Sequence, residues 1–315
     1  MEMVMRPARG FKRKTIAAAI DGKIKQWIKT IDDQELRSDI ERDYIVTGGA
    51  ITSMLLGELP NDYDVYFVNV QTCEKVAKYY TSRLKTNDTT RVKVIAHPAS
   101  VEIRIKSAGI ANTEEKETGY DYFEVYTGEE DQLDSESRAG SFIKQFAKED
   151  KQKYEVAMVS SNAITLTDDI QIITRFCGDP ETIHENFDFV HTTNSYARGR
   201  LILRPEALEA TLAKELRYIG SRFPLTSIFR MKKFIKRGWT ITAGETLKIM
   251  YDVAALNLND VGVLQEQLTG VDVAYFNELI NRLGRSDKAI DRTYLFELIN
   301  RVFDDIPDDE IVIGR

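Results

Sequence analysis

Apolar side chains in the first part of the chain recur every three or four residues. Ile16, Ile20, Ile24, Trp27 or Ile28, and Ile31 fall on one stripe, the spacing of an amphipathic helix. This predicts a helix from Thr15 to Leu36 with one face laid on a sheet. The period then changes. Tyr44, Ile45 and Val46 form a short β-prone run that Gly48-Gly49 interrupts, which predicts a strand and a break. Ile51, Met54 and Leu55 return to helical spacing, and Gly57 supplies a stop. Asp62-Tyr63-Asp64-Val65-Tyr66-Phe67 alternates with the period of a strand. Tyr63, Val65 and Phe67 share one face, and Asp62 and Asp64 share the other.

Further on, Cys73 to Leu84 reads as a helix with Val76, Tyr79 and Tyr80 on its apolar side. Arg91 to Ile95 and Val101 to Ile105 alternate strictly, which predicts two strands joined as a hairpin across His97-Pro98. Residues 107–150 are acidic and lack a long apolar period; they carry Tyr120, Tyr122, Phe123 and Tyr126. They read as an insertion or lid. Strand character returns at Ala163 to Thr167 and Ile170 to Phe176, separated by Asp168-Asp169, a tight-turn pair. Gly178-Asp179-Pro180 starts a short helix. Asn186 to His191 reads as a strand with Phe187, Phe189 and His191 on one face and Asp188 on the other. From Pro205 onward the period is helical, with spans at 205–219, 225–238, 243–256, 260–268, 272–284 and 291–304. The expected fold class is α+β. A mixed sheet flanked by helices occupies 1–204, with the insertion at 107–150, and an all-helical domain follows over 205–315.

Composition narrows the classes of function. A chain of 315 residues is long enough for two domains. Its net charge of −7 argues against indiscriminate coating of nucleic acid and leaves room for a local basic groove. One helix from Leu225 to Gly238 supplies such a feature. Arg230, Lys233 and Arg237 lie along one side of it, beside Lys232 and Lys236. That face suits a triphosphate or an RNA backbone, and equally reads as an ordinary solvated face. Arg6, Arg9, Lys12, Arg13 and Lys14 read as a solvated basic tail. No apolar run approaches membrane-spanning length and no signal-peptide pattern is present. Cys73 and Cys177 are the two cysteines and have no ligand-like spacing. Together these features predict a cytoplasmic protein, in the host cytoplasm if the chain is phage-encoded, without structural zinc.

The chemistry concentrates between Tyr44 and Phe67. Two carboxylates two residues apart on a strand repel each other unless a cation sits between them. Hard oxygen ligands favour Mg²⁺, which is commonly held by one or two carboxylates together with substrate phosphates. Gly48-Gly49 at a helix start suits a phosphate. Gly48-Gly49, a short helix, then Asp62-x-Asp64 between apolar residues resembles the signature of the polymerase-β-type nucleotidyltransferase superfamily. GGAITSMLLGELPNDYDVYF is similar to the head of CCA-adding enzymes and bacterial poly(A) polymerases, and later stretches resemble nucleotidyltransferase-like proteins of large phages. Thr52-Ser53 stand where those enzymes carry an Arg-Asp pair.

The resemblance implies a metal-dependent transfer of a nucleoside monophosphate from an NTP to an acceptor hydroxyl. The expected acceptor is an RNA or tRNA 3′ end. Asp62, Asp64 and Asp188 would be the catalytic and metal-binding carboxylates for two Mg²⁺ ions, with Mn²⁺ as a substitute. Glu102 is the second candidate for the third carboxylate, and its rival reading is pairing with Arg104. Gly48, Gly49, Thr52 and Ser53 would hold the nucleotide, and Arg230, Lys233 and Arg237 the acceptor or phosphates. Transfer to a small molecule or a protein side chain is the alternative reaction. A catalytically silent protein that binds nucleotide or RNA is the alternative class.

Overall fold

The computed structural model describes residues 10–84, 90–107, 123–124 and 153–258, with isolated positions at 260, 263, 266 and 267. Almost all of the 107–150 stretch, Arg6 and Arg9, the helical spans 272–284 and 291–304, and most of 260–268 lie outside the described residues. The chain divides into two units, one of 1–127 with 152–219 and one of 128–151 with 220–315.

In the first unit the span expected as one helix, Thr15 to Leu36, falls in two helices, and the isoleucine stripe as far as Ile28 belongs to the first of them. Helix α1 spans Arg13–Lys29 and α2 spans Gln34–Asp43. The break follows from Asp33, whose carboxylate accepts from Leu36 N at 3.0 Å and caps a new helix. Strand β1 (Tyr44–Thr47), helix α3 (Gly49–Leu55), strand β2 (Tyr63–Phe67) and helix α4 (Val70–Thr81) follow in order. β3 (Thr90–His97) and β4 (Ser100–Ser107) form the expected hairpin as a separate two-stranded sheet. Next come β5 (Phe123–Glu124), β6 (Val156–Val159), β7 (Ala163–Leu166) and β8 (Ile170–Cys177). The β7–β8 turn carries Asp168 and Asp169, both at φ 59°, the left-handed pair that a tight hairpin turn requires. Helix α5 (Pro180–His184), a 3₁₀ turn (Val190–Thr192), β9 (Ser195–Ala197), β10 (Arg200–Ile202), α6 (Pro205–Ala213) and β11 (Glu215–Leu216) complete the unit.

The central sheet has eight strands in the order β10-β9-β1-β2-β8-β7-β6-β5. All neighbours are antiparallel except β2 and β8, which run parallel. The fold is therefore α+β, with a mixed sheet flanked by helices. Strand alternation gives the sheet two unlike faces. Tyr63, Val65 and Phe67 point into the main core with Tyr44, Val46, Ile170 and Ile172. The α1 stripe, Leu36 and Ile40 of α2, and Cys73, Val76 and Tyr80 of α4 cover that face. Trp27 donates to the Tyr80 hydroxyl at 2.6 Å inside it, so a large ring is buried without stranding its N–H. The opposite face has a smaller cluster, where Ile45 and Tyr66 meet Ile183 of α5 and Phe187.

The segment Asn186 to His191 is not a strand of this sheet, contrary to the alternation in its sequence. Its aromatics anchor in different places. Phe187 packs on Tyr66 with ring centroids 6.1 Å apart, and Phe189 packs on Tyr218 at 5.9 Å. In the second unit, helix α7 spans Pro224–Lys236 and α8 spans Ala243–Ala254. Trp239 is buried against Phe234, centroids 5.2 Å apart, as a core anchor.

Candidate functional site

Residues paired across neighbouring strands project to the same face. The register therefore aligns Ser195, Thr47, Asp64, Gln171 and Thr165 in one row across five strands, β9, β1, β2, β8 and β7. The row crosses the face opposite the main core. Among the eight strands of the sheet, only Asp64 and Glu124 are acidic.

One end of the row is closed. Thr47 is fully buried, and its hydroxyl donates to the Asn194 carbonyl at 2.8 Å. His184 Nε2 lies 2.8 Å from the same oxygen. Burial, helped by the charge of Arg204, pushes the His184 pKa down to about 4, so the ring is neutral near pH 7. A neutral ring protonated at Nε2 donates to the Thr47 oxygen while the hydroxyl hydrogen serves Asn194, which satisfies both groups. At the other end Asp64, Gln171 and Thr165 are half-buried. Asp62, one residue before β2, is exposed.

Gly48 and Gly49 border the open end. Gly48 sits at φ 89°, where L side chains are strained. A Cβ on Gly48 would stand 3.1 Å from Asp64 Oδ2. Glycine thus lets the backbone pass directly beside the carboxylate, and its N–H is held by the Thr192 carbonyl at 3.1 Å. A Cβ on Gly49 would meet nothing within 4 Å, so the start of α3 faces open space. The next two positions differ. Thr52 is buried and donates to the His191 carbonyl at 2.9 Å, tying α3 to the 3₁₀ turn. Ser53 is buried as well.

The third-carboxylate candidates occupy other places. Asp188 is 4% exposed on the segment between Phe187 and Phe189, off the sheet, and its carbonyl accepts from Ile219 N at 3.0 Å. Among the described residues no three of His, Cys, Asp and Glu are grouped so as to hold a metal ion. The expected trio of Asp62, Asp64 and Asp188 is therefore not gathered into one ligand set. Glu102 belongs to the separate hairpin. Arg104 grips its carboxylate at 2.7 and 3.1 Å, and His97 lies 3.2 Å away. The Arg104 guanidinium, with help from His97, holds the Glu102 pKa below its ordinary value. The rival reading, pairing with Arg104, is the one observed.

Arg230, Lys233, Lys236 and Arg237 are exposed on α7, whose first turn is buried at Pro224 to Ser227. They belong to the second unit. Sequence reasoning did not single out Thr47, His184 or Gln171 for the site. A polar residue interrupting the apolar run Ile170-Gln171-Ile172-Ile173 is a signal that can be read; which strand lies beside it cannot.

Residues 19–214 match the family described as "Gad2: Gabija anti-defense 2 family protein". No curated protein matches the chain. Among solved structures, the chain is similar to the Thermotoga maritima CCA-adding enzyme complexed with tRNA, at 13% identity and a TM-score of 0.34 over 88% of this chain. It spans 54% of that enzyme. A CCA-adding enzyme with CTP gives 14% identity and a TM-score of 0.41, covering 96% of this chain and 67% of the other. A tRNA-processing enzyme with CTP gives 13% and 0.37, covering 89% and 59%. Superpositions this loose carry no argument about activity. No helix among the described residues is long and apolar enough to cross a membrane.

Proposed function

The chain belongs to the Gabija anti-defense 2 family, and from that premise we propose that it is a cation-dependent nucleotidyltransferase whose activity serves an anti-defence role. The observation that carries this reading is the approach of Gly48 to Asp64, 3.1 Å from a virtual Cβ to Oδ2, beside the open space at Gly49. A carboxylate beside a side-chain-free backbone and an open helix start is an arrangement suited to a triphosphate and its cation.

The donor set fits one hard divalent ion. Asp62 and Asp64 would hold Mg²⁺, or Mn²⁺ in its place, and phosphate oxygens and water would fill the other positions. Such an ion polarises the α-phosphate and neutralises the leaving pyrophosphate. Gly48 and Gly49 keep the room in which the phosphates lie. In the reaction the acceptor oxygen bonds to the α-phosphorus, the α–β phosphoanhydride breaks, and pyrophosphate takes its electron pair. The hydroxyl proton passes to solvent. The basic face of α7, with Arg230, Lys233 and Arg237, is the proposed contact for the acceptor's phosphates. The proposed acceptor is an RNA 3′ hydroxyl. The family description favours a second reading, in which a component of the Gabija system accepts the nucleotide.

Purified protein is incubated with each of the four α-labelled NTPs, Mg²⁺, total RNA, and separately a lysate carrying Gabija. The expected result is label on one macromolecular acceptor, lost in Asp64→Asn. Absence of transfer to any acceptor, with Asp64→Asn indistinguishable from wild type, leaves a silent binding protein instead.

A further inference from the structure

Asp64 pairs with Thr47 on one side and with Gln171 on the other. Neighbouring strands lie about 4.8 Å apart, and the three side chains share a face. Thr47 is fully buried and already satisfied by Asn194 and His184. Gln171 differs: it is half-buried, and no hydrogen bond joins its side-chain amide to another described residue. Its neighbour in the row, Thr165, is also half-buried. The carboxamide reaches solvent on the open side of the row, beside Asp64, and has no partner among the described residues to compete with a ligand. It carries two N–H donors and one acceptor, the complement of a phosphate or sugar edge. It is also the strand position next to Asp64 where a further carboxylate would add to the charge on a cation site.

We propose that Gln171 is a nucleotide-contacting residue, donating its amide N–H to a phosphate or ribose oxygen of a nucleoside triphosphate held at Asp64. This rests on the nucleotide-site reading above. In this arrangement Asp62 and Asp64 supply the two carboxylates of the site, and the contact beside Asp64 on the next strand is neutral. The cation therefore depends on the nucleotide's own phosphates for most of its ligands, and the empty protein binds Mg²⁺ weakly.

The test is titration calorimetry of ATP, CTP, GTP and UTP, each in Mg²⁺ and in EDTA, on wild type, Gln171→Leu, Gln171→Glu and Asp64→Asn. Gln171→Leu keeps the shape and removes the donor. It is expected to weaken the best-bound NTP about tenfold in both buffers, the usual weight of a hydrogen bond to a charged group. Gln171→Glu places a further carboxylate beside Asp64. It is expected to lose binding in EDTA by about tenfold or more and to recover it in Mg²⁺, with half-saturation at a lower Mg²⁺ concentration. A residue that merely supports the strand would not produce that cation-dependent crossover. Unchanged melting temperatures show that the variants fold, and the crossover in Gln171→Glu tests the assignment on its own if Gln171→Leu does not fold. If both Gln171 variants bind as wild type while Asp64→Asn loses Mg²⁺-dependent binding, this assignment falls and the nucleotide site stands. If Asp64→Asn also binds as wild type, the site itself falls and the assignment with it.

Discussion

The two faces of the central sheet are built by the same strands, one residue out of step. On one face Tyr196, Val46, Val65, Ile172 and Ile164 make an apolar row that helices bury completely. On the other, Ser195, Thr47, Asp64, Gln171 and Thr165 make a polar row open at one end. Burial of the first stabilises the register, and the second inherits its alignment from that register at no separate cost. A single residue of slip would exchange core and site. Stability and function should therefore respond to different residues that sit side by side.

The widest separation is expected between two positions of the same strand, β2. Phe67→Ala removes a fully buried ring and should cost about 3–5 kcal/mol, read as a fall in melting temperature or urea midpoint. Asp64→Asn should leave the midpoint nearly unchanged and abolish Mg²⁺-dependent nucleotide binding. Equal stability losses in the two would contradict the division between faces.

Next in size is the closed end of the polar row. His184 has a folded-state pKa of about 4, below the unfolded value of about 6.5. Between those values the unfolded chain binds more protons, so stability present above pH 6.5 is lost as pH falls toward 4. The full loss is on the order of 3 kcal/mol. His184→Gln should flatten the stability profile in that window. The depressed carboxylates Asp21, Asp39, Glu102, Asp179 and Glu209 act only at lower pH, which keeps the histidine step separable.

The two glycines give smaller and opposite effects. Gly48→Ala forces a left-handed φ on alanine, costing about 1–2 kcal/mol, and pushes against the Asp64 carboxylate. Both melting temperature and NTP affinity should drop. Gly49→Ala lies in a helix with open space at the new methyl, so it should stabilise by about 0.5–1 kcal/mol. If that space holds phosphate, the same variant should bind NTP more weakly. A Gly49→Ala protein that is more stable and binds nucleotide normally would remove the glycines from the site.

Much of this was readable in the chain. The alternation from Asp62 to Phe67 placed the aspartates and the core residues on opposite faces, and the α1 stripe named the residues that cover the core. Gly48-Gly49 marked the end of the first strand and the start of the next helix. Three features were not readable. The break at Asp33 ended the first helix before Leu36, because its cap starts a new helix there. Asn186 to His191 looks alternating, yet Phe187 and Phe189 find different partners and no ladder forms along it. The neighbour of Asp64 was hidden for a deeper reason. Ile170 to Phe176 was legible as a strand, but its parallel pairing with β2 joins positions about a hundred residues apart in the chain, which local periodicity does not report.

That pairing carries a consequence for how the protein comes into being. The two halves of the polar row leave the ribosome far apart in time, and Asp64 must wait for Gln171 before it has a neighbour on that side. Closing so long a loop costs only slightly more than closing a shorter one. The connections within that span can therefore lengthen while the row keeps its geometry, provided that α4 and β7, which carry core residues and Thr165, are kept. Chain lost after β7 would instead leave Asp64 with no strand beside it on that side.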